Sequence, residues 1–377
     1  MPSPKRTVPS RTGGGFSISF PAMRGIQAGR EFYVIMCPLR HLPKLFLFDE
    51  EPVPAELRAQ RALNRNRVPA LTKYIVDNRH DYVFSALTAS IDGEMAFEAV
   101  QDDAGHTNRL GVLSIAMDAR FLINDGQHRR AAIEDAMAID PTLMEETIPI
   151  VIFGDEGLSR SQQMFADLNR HAIRPAKSIG VLYDHRDDES AVVRLVVLKS
   201  AFFRGVVETE KSNLSPRSGK LFTLSALYNA TLSLFAGLEF ASIETAAAVA
   251  RDFWEEVARH FPEWQQVSDR SVSAGEIRTE YLHSHGIVLH ALGKVGNVLL
   301  RQSLKKDDWI PSLQKLESID WRRSNTKTWE GRAMIGGRVS KATNNVVLTT
   351  NFIKTQLGIA LTPEEQRAED NYLEGAR

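Results

Sequence analysis

The stretch of sequence that decides the fold of the N-terminal half is FLINDGQHRRAA, residues 121–132. Its first three residues are apolar and predict a short buried strand, and the apolar residues that follow position 130 recur at helical spacing. The polar segment 124–126 predicts a tight turn, with Asn124 or Asp125 as the N-cap of the helix. Gly126 has no Cβ, so a ligand is able to approach the backbone there. The expected local structure is a strand, a turn and a helix.

The start of this predicted helix is suited to an anion. Amide groups in the first turn of a helix have no partner within the helix, and the dipole is positive at that end. His128, Arg129 and Arg130 follow directly. Helix amides beside guanidinium groups are a known arrangement for holding a phosphate. An ordinary turn with a solvated arginine pair is the alternative, and the local pattern leaves both open.

The segment DGQHR, residues 125–129, resembles the signature of the DGQHR proteins and, locally, the nucleotide-binding box of ParB-type partition proteins and sulfiredoxins. Further similarity lies in residues 163–175, 177–178, 183–187, 329–332 and 344–345. Together these segments resemble the DndB family of DNA sulfur modification proteins over most of the chain. The resemblance implies an α+β protein: a ParB/sulfiredoxin-like mixed sheet-and-helix N-terminal domain, followed by a mostly helical C-terminal domain.

The resemblance also implies a nucleoside triphosphate site, with ATP as the expected nucleotide and Mg²⁺ as its companion if a metal takes part. An arginine-bearing helix before the motif and a basic loop after it are expected to complete the pocket. The expected nucleotide-binding residues are Arg61, Asn64, Arg65, Asp125, Gly126, Gln127, His128, Arg129, Arg130, Asn169, Arg170 and Arg174. For Arg61, Asn64 and Arg65 the competing interpretation is a solvated helix face. For Asn169, Arg170 and Arg174 it is a surface loop that contacts DNA.

The side-chain chemistry of the motif residues suggests a role for each of them at the nucleotide. Arg129 and Arg130 neutralise phosphate, while Gln127 and His128 donate hydrogen bonds. Asp125 either caps the helix or helps to hold Mg²⁺ through water. If the nucleotide is hydrolysed, the expected catalytic residues are Asp125, His128 and Arg129, with His128 or Asp125 orienting the water and Arg129 stabilising the transferring phosphoryl group.

The composition of the chain limits the number of domains and the kinds of site that are possible. The 377 residues are 43% hydrophobic and 25% charged, which is enough for one large domain or two ordinary ones. The net charge of -1 means that any contact with nucleic acid requires a local basic patch. The single cysteine, Cys37, excludes an intramolecular disulfide and a zinc site built on several cysteines, and is expected to be buried. No apolar run is as long as a membrane span and no signal-peptide pattern opens the chain, so we expect a cytoplasmic protein without membrane contact.

Three parts are expected along the chain: a mobile arm at 1–15, the DGQHR domain at 16–187 and a helical domain at 188–377. Strands are predicted at 32–36, 45–48, 83–91, 112–115 and 148–153, with a hairpin turn at Asp92-Gly93 that leads into 95–97. Helical spacing covers 55–78, 158–169, 191–203, 221–238, 243–260, 277–301 and 344–357, and 209–220 is expected to be a flexible loop. One Glu-x-x-His pair, Glu280 and His283, is too little for a dimetal site, so no metal site is expected.

Basic residues concentrate at 58–73, 160–177 and 322–341. The first two flank the expected nucleotide pocket, so the third is the best candidate for contact with DNA. Its expected phosphate contacts are Arg322, Arg323, Lys327, Arg332 and Arg338. Trp321 and Trp329 are interleaved with these residues and are either flat faces for nucleic acid or, more commonly for tryptophan, core anchors.

The resemblance implies negative transcriptional control of a DNA phosphorothioate modification operon, through binding of double-stranded promoter DNA. Other modification proteins are expected as further partners, and the chain is expected to be able to form oligomers. Two alternatives stay open: an NTPase with DNA-nicking activity in defence against foreign DNA, and a non-enzymatic assembly module for the modification proteins. The resemblance does not imply sulfur chemistry itself, and the lone cysteine, which offers no reactive pair or cluster, agrees with that.

Overall fold

A computed structural model describes residues 16–46, 65–100, 109–154, 163–164, 166–168 and 175–375. The chain divides into two compact units, Met1–Ile173 and Arg174–Arg377. The change of unit therefore comes at 173/174, whereas the expected boundary was 187/188. The arm at 1–15 lies outside the described residues, and so do residues 47–48 of the strand expected at 45–48. Leu45 ends a short helix and Phe46 follows it as the C-cap residue, so the strand prediction is wrong there.

The first unit is built on one mixed sheet. Its strands are β1 (Ser17–Gln27), β2 (Arg30–Pro38), β3 (Leu87–Asp92), β4 (Met95–Ala99), β5 (Leu110–Ala116), β6 (Arg120–Asp125) and β7 (Thr147–Gly154). Its α-helices are α1 (Leu42–Leu45), α2 (Val68–Asp77) and α3 (Gln127–Ile139). Within the described residues the order of strands is β4-β5-β1-β2-β7-β3-β6, and β3 and β7 are parallel.

Alternation along the strands explains the core of this unit. Ile35, Ile123, Ile150 and Leu87 are completely buried, and Cys37 lies among them. Burial raises the pKa of Cys37 to about 12, so this thiol stays protonated at neutral pH. The expectation of a small buried side chain at Cys37 is confirmed.

The hairpin that was predicted at Asp92-Gly93 is wrong. β3 pairs with β6, and β4 pairs with β5, so the two strands on either side of Gly93 do not pair with each other. Instead the chain bends at Gly93 and continues from β3 into β4. The segment that contains β5 and β6 runs antiparallel beside it, so that β6 pairs with β3 and β5 pairs with β4. Gly93 has φ +153°, and a Cβ there would lie 2.5 Å from the Cβ of Ala119. The glycine therefore permits a bend at a point where the two paths approach closely.

The second unit is mostly helical, as expected. Its helices are α4 (Lys177–Tyr183), α5 (Asp188–Lys199), α6 (Ala201–Val206), α7 (Leu224–Phe235), α8 (Ile243–Arg259), α9 (Pro262–Ser268), α10 (Ala274–Glu280), α11 (Gly286–Gln302), α12 (Lys306–Leu313), α13 (Thr326–Trp329), α14 (Thr343–Leu357) and α15 (Pro363–Gly375). Two short pairs of strands accompany them: β8 (Val207–Glu208) with β9 (Phe222–Thr223), and β10 (Met334–Ile335) with β11 (Arg338–Val339).

The helix predicted over 277–301 is two helices, because the chain breaks between α10 and α11 at 281–285. The main helical contact in this unit joins α7 and α11. Gly293 makes the contact close, since a Cβ there would lie 2.1 Å from the carbonyl oxygen of Ala230. Trp254, Trp264 and Phe253 fill the surrounding core and are completely buried. Each fully buried side chain of this size contributes about 1.5–3 kcal/mol of transfer free energy.

Candidate functional site

The DGQHR segment forms the expected strand, turn and helix. β6 ends at Asp125, Gly126 is the N-cap residue with φ +105°, and α3 begins at Gln127. The predicted N-cap at Asn124 or Asp125 is wrong, because both residues still belong to β6, and no side chain in the described part of the chain caps α3. A Cβ on Gly126 would lie 2.4 Å from Cδ2 of Leu87. The space that the glycine leaves is therefore filled by a core leucine of the chain itself.

Arg129 folds back onto this turn. Its Nη2 donates to Oδ2 of Asp125 at 2.5 Å, and its Nη1 donates to the carbonyl oxygen of Ser85 at 3.0 Å and also to the Ser85 hydroxyl. Its side chain is only 15% exposed, whereas that of Asp125 is 45% exposed. The guanidinium group therefore lies fixed beside the start of α3. Sequence reasoning missed Ser85, because a lone serine before a strand carries no local signal.

Arg130 is engaged differently. Its Nε and Nη2 donate to the carboxylate of Glu134 at 2.9 and 3.3 Å, one helical turn further on. Its guanidinium carbon lies 6.0 Å from the centre of the Phe46 ring. Both arginines thus have a carboxylate partner, and they differ in position: the guanidinium of Arg129 lies beside Gly126 at the start of α3, whereas that of Arg130 is held by Glu134 one turn further on.

His128 has a pKa below its ordinary value. Burial is the main cause, the charge of Arg67 adds to it, and the carboxylate of Asp125 opposes it. A neutral imidazole at neutral pH is able to accept or to donate a proton. Arg67, in the 3-10 turn Arg65–Arg67, was not among the expected site residues, although the basic excess at 58–73 pointed to its neighbourhood.

Two other segments were expected at this site. Arg65 is described and exposed, whereas Arg61 and Asn64 lie outside the described residues. Asn169, Arg170 and Arg174 also lie outside them. Before that loop, Met164 contacts the motif strand: Nδ2 of the buried Asn124 lies 3.3 Å from its sulfur and 2.6 Å from the Ser90 hydroxyl.

The side chains that commonly bind metals do not cluster in the described residues. Among the residues that the structure describes, no group of three or more His, Cys, Asp and Glu side chains is arranged to hold a metal ion. Glu280 is exposed at the end of α10. His283 is completely buried, and its Nδ1 accepts a hydrogen bond from Nε1 of Trp264 at 2.9 Å.

The basic stretch 322–341 is a loop region around α13 and the β10–β11 hairpin. Arg322, Lys327 and Arg338 are exposed, and no carboxylate forms an ion pair with their side chains in the described part of the chain. Arg323 is partly buried, and it donates to the carbonyl oxygens of Thr279 at 3.3 Å and Gly337 at 3.0 Å. Each of these interactions leaves the positive charge uncompensated.

Arg332 differs from its neighbours in the stretch. It is 7% exposed, and it donates to Glu369 with both terminal nitrogens and to the Leu348 carbonyl oxygen at 3.0 Å. Its guanidinium carbon lies 4.4 Å from the centre of the Tyr372 ring and 5.4 Å from that of Phe352. These contacts bury the group in the fold, so Arg332 does not belong to the exposed basic surface.

The tryptophans and the asparagine of this region are also internal. Trp321 and Trp329 are buried and stack with ring centres 5.2 Å apart, which makes them core anchors. The buried amide of Asn345 donates to the carbonyl oxygens of Gly331 at 3.0 Å and Arg332 at 2.6 Å. Two segments that carry the sequence resemblance, 329–332 and 344–345, thus hold each other in place.

The DndB family model, described as DNA-sulfur modification-associated, matches residues 20–360. The chain belongs to the DndB family. The match includes both the DGQHR turn and the basic stretch 322–341, so the family suggested by the sequence is confirmed. Membership of the DndB family connects the chain with DNA sulfur modification. None of the curated proteins and none of the solved structures matches the chain. No helix in the described ranges combines the length and the apolar character that crossing a membrane requires.

Proposed function

We propose that this member of the DndB family is a DNA-binding regulator of a DNA phosphorothioate modification system. In this proposal it represses the modification operon by binding double-stranded promoter DNA, and a nucleoside triphosphate bound at the DGQHR turn modulates that binding. Other modification proteins are further partners of the same proposal. The proposed nucleotide site is centred on the DGQHR turn, and the proposed DNA site is the basic stretch 322–341.

The exposed cations of 322–341 carry the proposal for DNA. Arg322, Lys327 and Arg338 present full positive charges to solvent, and Arg323 is oriented by carbonyl oxygens that do not neutralise it. In a chain of net charge -1, such a local excess is what a polyanion requires. Backbone carbonyls that orient an arginine reduce the entropy that it loses on contacting a phosphate. We therefore propose these four residues as the phosphate contacts and leave Arg332 out.

The DGQHR turn supports the proposal for a nucleotide. The amides of Gln127 and Arg129 donate to no acceptor in the described residues, and α3 has no side-chain cap. The Arg129 guanidinium lies beside these amides, which fits the phosphates of a nucleoside triphosphate. Gln127, His128 and Arg130 remain proposed ligands, together with Gly126 through its backbone, and Arg61, Asn64, Arg65, Asn169, Arg170 and Arg174 from the flanking segments. If Mg²⁺ accompanies the nucleotide, the free Asp125 oxygen would hold one of its waters.

An NTPase is the second candidate function, and the neutral His128 favours it. An imidazole of lowered pKa beside the carboxylate of Asp125 suits the orientation of an attacking water. Arg129 would then stabilise charge on the transferring phosphoryl group. DNA nicking would accompany this candidate, whereas an assembly module would have neither nucleotide turnover nor salt-dependent DNA binding. Sulfur transfer is not proposed, because the pKa of Cys37 is about 12 and a thiol is not a nucleophile.

A salt titration of duplex binding tests the DNA-binding function. We expect the double variant Arg322→Ala/Arg323→Ala to bind promoter and unrelated duplexes less tightly, by the same factor for both. The slope of log K against log salt should fall by about one unit for each phosphate interaction that the substitutions remove. Lys199→Ala removes an exposed charge from α5 and serves as the control. Unchanged slope and affinity in the double variant would reject 322–341 as the DNA site.

A further inference from the structure

A second cavity with the character of an anion site lies in the helical unit, remote in sequence from the DGQHR turn. Its volume is about 280 Å³, and none of the described residues that line it is an aspartate or a glutamate. Its polar lining includes Arg278, Lys341, Asn213, Thr279 and His285. At about 30 Å³ for a water molecule in the liquid, the cavity has room for a phosphate group with part of its substituent.

The charge of the cavity comes from side chains that no carboxylate neutralises. Arg278 donates to four carbonyl oxygens, those of Ser215, Pro216, Ser218 and Lys220. These bonds hold the guanidinium against the loop 215–220, which was expected to be flexible. Carbonyl oxygens are dipoles and not counter-ions, so the full positive charge stays at the cavity wall.

Lys341 and the start of α11 form the facing wall. A Cβ on Gly286, the first residue of α11, would lie 3.1 Å from Nζ of Lys341, so the ammonium group lies directly over the first turn. The amides of Gly286 and Ile287 donate to no acceptor in the described residues. α11 is 17 residues long, so its dipole adds to the positive potential of the lysine.

The pKa of His285 is affected by the same positive potential. Burial, as the main cause, and the charges of Arg323, Lys341 and Arg278 lower its pKa to about 4. Its Nε2 donates to the carbonyl oxygen of Arg278 at 2.8 Å, so its other nitrogen carries no proton. Three cations therefore converge around a neutral imidazole, and no described acidic residue of the lining offsets them.

We infer that this cavity is a phosphate-binding site, in which Lys341 and the first amides of α11 hold a phosphate group and the positive charge of Arg278 attracts it. The inference rests on these contacts and not on the proposed DNA binding or on the DGQHR turn. A backbone phosphate of DNA and a free phosphorylated molecule share this chemistry. Lys341 and Arg323 also belong to the basic stretch 322–341, so a DNA phosphate would make the cavity part of the same interface.

Lys341→Gln is the decisive variant, because Lys341 is exposed and its loss leaves the core intact. Arg278 is not used, since its removal would release the loop 215–220. One arm measures inorganic phosphate by isothermal titration calorimetry at constant ionic strength, and the other measures a labelled duplex by fluorescence anisotropy. Lys199→Gln is the control of equal charge. Gly286→Ala is a second variant, because its methyl group takes the place against which the lysine ammonium lies.

Loss of about tenfold in phosphate affinity in Lys341→Gln and in Gly286→Ala, with no loss in Lys199→Gln, supports a site for a free phosphorylated molecule. A comparable loss of duplex affinity in both variants, without a loss of phosphate affinity, supports a site for a DNA phosphate. Equal behaviour of Lys341→Gln and Lys199→Gln in both arms overturns the inference. If the wild-type protein does not bind duplex DNA, the proposed regulatory function is contradicted. The phosphate titration still tests the cavity in that case.

Discussion

Arg332 and Glu369 form a two-point ion pair in which Nη1 donates to Oε2 at 2.9 Å and Nη2 donates to Oε1. The two side chains are 8% and 13% exposed. The pair joins the loop after α13 to the C-terminal helix α15, and Tyr372 of that helix covers the guanidinium. A charge pair in this position holds the end of the chain to the helical unit.

Removal of one partner of this pair should destabilise the protein strongly. Breaking a buried ion pair costs about 3–5 kcal/mol, because the remaining charge is left without a partner. We expect this loss in Arg332→Met and in Glu369→Gln, measured by urea unfolding. The double variant Arg332→Met/Glu369→Gln should lose less than the sum, and Glu364→Gln on the exposed face of α15 should lose almost nothing. Additive losses in the double variant would contradict a direct interaction.

Arg129→Ala should weaken nucleotide binding about tenfold or more, because it removes the cation held beside the first amides of α3. Arg30→Ala is the matched control, because it removes an exposed arginine from the start of β2 that is not among the proposed ligands. Binding of a fluorescent ATP analogue measures both. If the two variants behave alike, Arg129 has no special role at the turn.

Phosphate release on wild type and Arg129→Ala decides between binding and hydrolysis. An NTPase should release phosphate with wild type and lose most of that rate in the variant, since Arg129 would stabilise the transferring group. Equal background rates in both proteins would exclude the enzyme at this turn and leave nucleotide binding open.

Gly126→Ala should destabilise the first unit by about 2–4 kcal/mol. An alanine at φ +105° is strained, and its Cβ would overlap Leu87. Gly154→Ala in the same unit is the control, because its Cβ would make only an ordinary contact, 3.8 Å from Met95. Chemical unfolding of both variants is the measurement. A stable Gly126→Ala protein would mean that the turn has another conformation.

The lowered pKa of His285 predicts a loss of stability in acid. The unfolded chain has an ordinary histidine pKa near 6.5, whereas the folded value is about 4. Between these values the unfolded state binds more protons, so the free energy of unfolding rises with pH across this window and falls as pH drops. The loss is complete near pH 4 and amounts to about 3 kcal/mol, because each unit of difference in pKa corresponds to about 1.4 kcal/mol.

Urea midpoints of wild type and His285→Gln at pH 7 and pH 5 test this dependence. Glutamine retains a donor for the Arg278 carbonyl oxygen but does not titrate, so the variant should lose less stability at pH 5 than wild type. His185→Gln, at an exposed position, should follow wild type. Parallel losses in all three proteins would contradict a role for His285.

Several features could be predicted from the sequence because they depend on near neighbours. Apolar spacing placed α7, α8 and α14 within a few residues of their ends. Turn chemistry placed the strand, turn and helix at Gly126. The family followed from motifs at fixed positions and agrees with the match over 20–360.

Only the tertiary structure decided which partner each group has. Asp92-Gly93 has the sequence of a hairpin turn, yet β3 pairs with β6 because a long-range pairing outweighs a local preference. Arg129, Arg130 and Arg332 are alike in sequence, but the first contacts Ser85, the second pairs with Glu134 and the third is buried against Glu369. Sequence determines which groups carry charge and which segments fold locally. Which of those charges remain free to bind a phosphate depends on residues that only folding brings together.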